Sequence, residues 1–372
     1  MMKESSAQTQ EISTKKPLLY MHVGTHKTGT TAIQSICRQN RRRLLEKGIL
    51  YPDLAPALDA DPASHLRFAH GIAGIDRDFG DDDIEGIARK WLADAKQLRA
   101  RVLVSAEAAY RHLYGHEDLS WLARRYRYTE RLRRFLEGFH VRGLLIFRRP
   151  DNFARALYQE RAMNAFAEPV PPFARYRRSN WQTFLRYSDQ AVMYKTIFDD
   201  LKIAKYEEIV ENGSLISGFM ALLDLDASDF EGNQHVRPGM SAIQVEVKKY
   251  AAKKLKTKEH NADFLAWLRE GEVTAEIEGY FERGDYGFWE SGAAWHEFCS
   301  AAMLELQRLR ETGLTDNEPL YVFPNATNEI PPPVPKLPGA LKRMVDDAIV
   351  KCAERKRTSE DDPSWGSGDE EA

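Results

Sequence analysis

Between residues 22 and 34 the chain reads HVGTHKTGTTAIQ. Gly24 and Gly29 bracket Lys27, and Thr25, Thr28, Thr30 and Thr31 crowd the same stretch. Together these residue types hold an anion. Glycine lets the backbone wrap closely around a phosphate, and free amide hydrogens and the helix dipole converge at a helix mouth. Lys27 adds a point charge and the threonines add hydroxyl donors. The loop departs from the Walker A motif, in which Lys follows the second glycine directly and precedes the Ser or Thr that ligates magnesium. Here Lys27 precedes Gly29, and Thr30 follows it. His26, inside the loop, is read as shaping the backbone rather than transferring protons.

A second cationic point lies in GLLIFRRPDNFARALYQERAM (143–163), where an apolar run ends in Arg148 and Arg149. Pro150 then opens a helix whose cap is Asp151 or Asn152. Proton transfer needs a base, and three residues qualify. His65 and His70 lie in SHLRFAHG (64–71), and an imidazole with an ordinary pKa near 6.5 is a base at neutral pH. Glu107 ends RVLVSAE (101–107), at the strand end where parallel sheets open their active-site crevice; a raised pKa or an aimed hydrogen bond would make it effective. His65 is preferred, ahead of Glu107 and then His70. Arginine mixed with aromatic residues at WLARRYRYTERLRRF (121–135) and ARYRRSNW (174–181) either grips an anionic glycan or forms solvated helix faces.

The elements that position these residues follow from apolar patterning. PLLYMHV (17–23), RVLVS (101–105) and VRGLLIF (141–147) read as buried parallel strands, with LKIAKYE (201–207) a weaker one. The first is followed by a helix from Thr31, with Ile33, Ile36, Cys37, Leu44 and Leu45 in period and Lys47–Gly48 as its stop. Strand and helix alternate, so the fold expected is α/β, a P-loop-type parallel sheet flanked by helices, with extra helices after residue 210.

At 372 residues and 43% hydrophobic the chain is globular, and a net charge of −3 gives no polycation for nucleic acid. No stretch reaches the ~20 apolar residues of a membrane helix; LISGFMALLDL (215–225) is too short. The polar N-terminus lacks a secretory core, and Cys37, Cys299 and Cys352 stand far apart, so a cytoplasmic protein without a zinc site or disulfides is expected. Residues 1–16 are expected to be a flexible lead-in, 17–322 the compact domain, and 323–372 a proline-rich linker, a short helix and an acidic tail.

The segment HVGTHKTGTTAIQ…LLEKGILYPD (22–53) closely resembles bacterial sulfotransferases that use PAPS (3′-phosphoadenosine 5′-phosphosulfate). In that superfamily a K-T-G-T-T loop binds the 5′-phosphosulfate. The resemblance spans about 18–310, with motif-level strength at 22–53 and 143–163. It implies a sulfotransferase-like fold and donor contacts from Thr25, Lys27, Thr28, Gly29, Thr30 and Thr31. It also implies a 3′-phosphate contact from Arg148 and a carbohydrate-type acceptor carrying a hydroxyl or amine. Lys27 would offset charge on the leaving phosphate, and no metal is implied. The family's Ser, eight residues beyond the arginine, is here Ala156, which removes one hydroxyl donor, about 1 kcal/mol of binding. Competing readings are a P-loop nucleotide kinase, which predicts magnesium and ATP, and a non-catalytic nucleotide-binding protein on the same fold.

Overall fold

The computed structural model describes residues 15–25, 29–54, 65–76, 79–211, 214–230, 239–315, 320–321, 323 and 330–360. The elements begin with β1 (Leu18–Gly24), α1 (Thr30–Gln39), α2 (Arg41–Glu46) and β2 (Ile49–Leu50). There follow α3 (Leu66–Ala73), α4 (Asp81–Leu98), β3 (Arg101–Ser105), a 3-10 turn at Glu107–Tyr110, α5 (Trp121–Phe135) and β4 (His140–Phe147). Next come α6 (Pro150–Asn164), α7 (Phe173–Phe184), α8 (Tyr187–Ile197), β5 (Asp200–Lys205), α9 (Tyr206–Glu211) and α10 (Leu215–Leu222). The remainder is helical: α11 (Ala242–Ala252), α12 (Lys258–Leu268), α13 (Gly271–Glu278), α14 (Gly292–Glu311) and α15 (Gly339–Glu360).

The chain divides into two compact units, one of Met1–Gly24, Thr28–Phe147 and Gln190–Gln234, the other of Thr25–Lys27, Arg148–Asp189 and His235–Ala372. The first holds a five-stranded sheet in the order β2-β3-β1-β4-β5, parallel throughout. β1 lies at its centre, with His22 beside Ser105 of β3 and Gly24 beside Ile146 of β4. All four expected strands form, and the GILYP segment adds β2. Alternation along β1 sends Tyr20 to the face covered by Ile33, Ile36 and Cys37 of α1 and Phe219 and Met220 of α10. Helix α4 packs against β3, and Trp91 from α4 meets Phe68 from α3 at a ring separation of 4.9 Å.

The helix expected to run on from Thr31 breaks instead at Asn40. Its side-chain amide donates to the Ile36 carbonyl at 3.0 Å, competing with the helical ladder. Arg125 is fully buried on α5. Its guanidinium donates to the Gln190 side-chain oxygen (2.9 Å), the His112 carbonyl (2.9 Å) and the Tyr194 hydroxyl (2.5 Å). Arg131 and Arg134 bind Asp81, and Arg133 binds Asp199. The arginines of 121–135 named here thus pair within this unit.

The second unit is helical. Pro150 sits in the first turn of α6, and α11 starts on a capping box of Ser241 and Gln244. The helix expected near the C-terminus is α15, which packs on α11 and α12. His260 Nε2 meets the Ile349 carbonyl (2.8 Å), and the Tyr250 hydroxyl donates to Asp346 (2.9 Å). Among the described residues no helix is long and apolar enough to cross a membrane.

Candidate functional site

In the first unit the chemistry gathers at the C-terminal edge of the sheet. β1 stops at Gly24 and α1 starts at Thr30, so the strand–loop–helix junction expected from the sequence is present at its described ends. Two glycines there are required by geometry. A Cβ on Gly24 would lie 2.4 Å from the Ile146 carbonyl oxygen of the neighbouring strand. Gly29 caps α1 at φ +71°, in the left-handed region, and a Cβ on it would lie 2.4 Å from the Leu215 side chain. A side chain would therefore clash at either end of the junction, with β4 at Gly24 and with α10 at Gly29. Thr30 is buried and Thr31 exposed in the first turn of α1. His26, Lys27 and Thr28 lie outside the described residues. In the second unit Thr25 is buried.

Glu107 opens the 3-10 turn two residues beyond β3 and is partly buried. Gln34 on α1 donates its side-chain amide to Glu107 Oε2 at 2.7 Å and to the Ser105 carbonyl at 3.2 Å. The Thr30 hydroxyl also bonds to Glu107. Burial pushes the carboxyl pKa up, while its own backbone amide, Gln34, Thr30 and the charge of Arg111 oppose the rise. The result is an aimed carboxylate, more basic than an ordinary glutamate, next to the first turn of α1. Gln34 had not been singled out in the sequence; its place four residues after Thr30, on the same helical face, was the available signal.

His65 has a different role from the one expected. It is buried, its Nε2 hydrogen-bonds the Pro52 carbonyl (3.0 Å), and its Nδ1 accepts from the Ser105 amide (3.1 Å). With Nε2 carrying the hydrogen and the Nδ1 lone pair occupied, the ring has no site for an acceptor's proton. Burial holds its pKa down to about 4. We assign it to holding the loop after β2 against β3. His70, half-buried on α3, faces His112 at a ring separation of 4.9 Å, and burial lowers its pKa too. His22, fully buried on β1, meets the Ser105 hydroxyl through Nδ1 at 2.9 Å, and burial lowers its pKa to about 3.

In the second unit Arg148, half-buried, follows β4 directly in sequence, and its carbonyl accepts from the Tyr187 hydroxyl at 2.7 Å. Arg149 forms a two-pronged ion pair with buried Asp151, at 2.7 and 3.1 Å. Arg155, two turns along α6, was missed by the sequence reading. Burial lowers its pKa, and the charges of Arg148 and Arg149 lower it further while Asp151 opposes them. These guanidiniums act on one another at the start of α6, and an anion would relieve their mutual repulsion. Ala156 is buried beside it in sequence.

Arg177, Arg178 and Trp181 of α7 line a cleft of about 270 Å³ together with Glu297, Phe298 and Ala301 of α14. Among the described residues no group of three or more His, Cys, Asp or Glu is arranged to hold a metal ion. Compared with known proteins, the chain matches no family model, no curated protein and no solved structure.

Proposed function

We propose that this chain is a cytoplasmic sulfotransferase that moves the sulfuryl group of PAPS to a hydroxyl or amine of a carbohydrate or glycolipid acceptor. One observation carries the reading. A central parallel strand ends at Gly24, with no space for a Cβ, and a helix begins after left-handed Gly29, and a strand-to-helix junction of this kind suits a phosphate group. Lys27, Thr28, Thr30 and Thr31 are assigned to the 5′-phosphosulfate, together with Thr25 and Gly29. The 3′-phosphate is assigned to Arg148 with Arg155. The mutual repulsion of these arginines, which a phosphate would relieve, supports that assignment, and Arg155 offers donors where Ala156 has none.

In the reaction the acceptor oxygen or nitrogen forms a bond to sulfur as the bond from sulfur to the 5′-phosphate oxygen breaks. Glu107 takes the acceptor's proton, and 3′,5′-ADP leaves with its developing charge offset by Lys27. Glu107 replaces His65 in the role of base because its carboxylate is aimed by Gln34 and Thr30, whereas both His65 nitrogens are engaged.

Calorimetry with 3′,5′-ADP and with ATP, each with and without magnesium, tests the donor assignment. Magnesium-independent binding of 3′,5′-ADP, lost in Lys27→Ala, is expected. ATP binding that requires magnesium would favour a nucleotide kinase. Binding of 3′,5′-ADP with no transfer of label from radiolabelled PAPS to a cell extract would leave a non-catalytic nucleotide-binding protein.

A further inference from the structure

The cleft between α7 and α14 lies wholly within the second unit, and neither the donor assignment nor the base makes use of it. Its lining is chemically mixed. Arg177 and Trp181 share one face of α7, one turn apart, and Glu297 and Ala301 do the same on α14. The Trp181 indole meets Phe298 edge-on at 5.2 Å and 88°, so its orientation is set by packing. Arg177 is equally constrained. Its guanidinium stacks over Trp289 at 5.2 Å and donates to Glu290 at 3.2 Å, and the side chain is 10% exposed. Its Nε is buried with no hydrogen-bond partner among the described residues, so the side chain is held by packing. Arg178 and Glu297 are exposed at the same cleft, and among the described residues neither forms an ion pair.

These features select a ligand class. An inorganic anion would gain from the two arginines but would meet the Glu297 carboxylate and leave the aromatic plate unused. A purely apolar ligand would leave the guanidinium donors unsatisfied. A sugar ring matches all of them. Its C–H face lies on an indole, and its hydroxyls both accept from guanidinium and donate to carboxylate. Pockets for drug-sized molecules run from roughly 300 to 1,000 Å³, so a cleft of about 270 Å³ suits one or two sugar rings rather than a nucleotide.

We infer that the α7–α14 cleft is a saccharide-binding subsite, with a pyranose ring stacked on Trp181 and its hydroxyls held by Arg177, Arg178 and Glu297. Binding rests on the second unit alone; only the identification of this saccharide as the acceptor rests on the sulfotransferase reading. The test uses the full chain, isothermal calorimetry and saturation-transfer NMR, with cellohexaose, maltohexaose and hexameric oligogalacturonate as probes. The oligogalacturonate arm separates a requirement for acidic sugar from recognition of the ring itself. At least one hexasaccharide is expected to bind. Trp181→Ala is expected to weaken it about tenfold, equivalent to about 1.4 kcal/mol, whereas Trp181→Phe, which keeps a stacking surface, loses less. Arg178→Ala, at an exposed position, tests the cleft without disturbing packing and is expected to weaken binding with an unchanged melting temperature. Lys27→Ala is expected to leave saccharide binding intact.

Absence of binding by all three hexasaccharides at millimolar concentration overturns the inference. So does binding that neither Trp181→Ala nor Arg178→Ala reduces, or displacement of the saccharide by 3′,5′-ADP from a site that these variants define. Failures of the two readings can be told apart. Saccharide binding that depends on Trp181, without sulfate transfer, keeps the subsite and removes the enzyme assignment. Sulfate transfer whose acceptor KM ignores Trp181 and Arg178 does the reverse.

Discussion

Glu107 carries opposed demands in a single carboxyl group. Burial disfavours its charge, yet Gln34 and Thr30 point donors at it, so it is held in place without being stabilised to the point of inertness. A carboxylate whose folded pKa is raised weakens the fold once it ionises above its unfolded pKa. Glu107→Gln keeps an acceptor for Gln34 and removes the buried charge. The variant is therefore expected to melt at the same temperature or higher near neutral pH, while sulfate transfer falls by about a hundredfold or more. Thermal melting and initial rates on the same preparation check both halves. Retention of the wild-type rate would remove Glu107 as the base.

Helix α6 and helix α15 show two ways in which an element matters. At the start of α6, Arg148 and Arg149 lie close enough to act on Arg155, and Arg149 forms a bidentate pair with Asp151. Arg155→Ala is expected to weaken 3′,5′-ADP binding roughly ten- to hundredfold, the range of a charge-assisted hydrogen bond. Affinity for 5′-AMP, which lacks the 3′-phosphate, should not change; equal loss for both ligands would contradict the assignment. Helix α15 acts through packing. Leu341, Val345, Ala348, Ile349 and Cys352 are buried on it. A chain ending at residue 338 is expected to lose on the order of 5 kcal/mol or more of stability from that burial. Scanning calorimetry would detect this as a lowered or split transition, and an unchanged melting curve would mean that the helix contributes nothing to the fold.

At the scale of the whole molecule, histidine burial makes stability depend on pH. Burial lowers the folded-state pKa values of His22 and His112 to about 3 and that of His65 to about 4, against an ordinary value near 6.5. The unfolded chain therefore takes up protons that the folded one refuses, so stability is fully present above about pH 6.5 and is lost as pH falls toward 4. His70 is lowered in the same direction, and Glu107 acts in the opposite sense, one group against four histidines. Melting temperatures measured from pH 8 to 4.5 are expected to be level above neutrality and to fall steadily below about 6.5, with a shallower fall in His112→Asn. A flat profile down to pH 5 would show that these rings are not held neutral.

How much of this could be read from the chain itself differs between fold and site. The strands at 17–23, 101–105 and 141–147, the helix after the glycine-threonine loop and the C-terminal helix all follow from apolar period and capping, which are local properties of consecutive residues. The strand-to-helix turn around Gly24 and Gly29 was legible for the same reason, because tight backbone geometry selects glycine wherever it occurs. Tertiary packing decided the rest. His65 and Glu107 looked alike as candidate bases in one dimension, and only the approach of Pro52, Ser105 and Gln34 separates an occupied imidazole from an aimed carboxylate. Arg125 in the interior and the α7–α14 cleft also depend on partners far apart in sequence. Sequence patterning determines which face of an element is apolar, but hydrogen bonds between distant elements exist only once those faces are packed together.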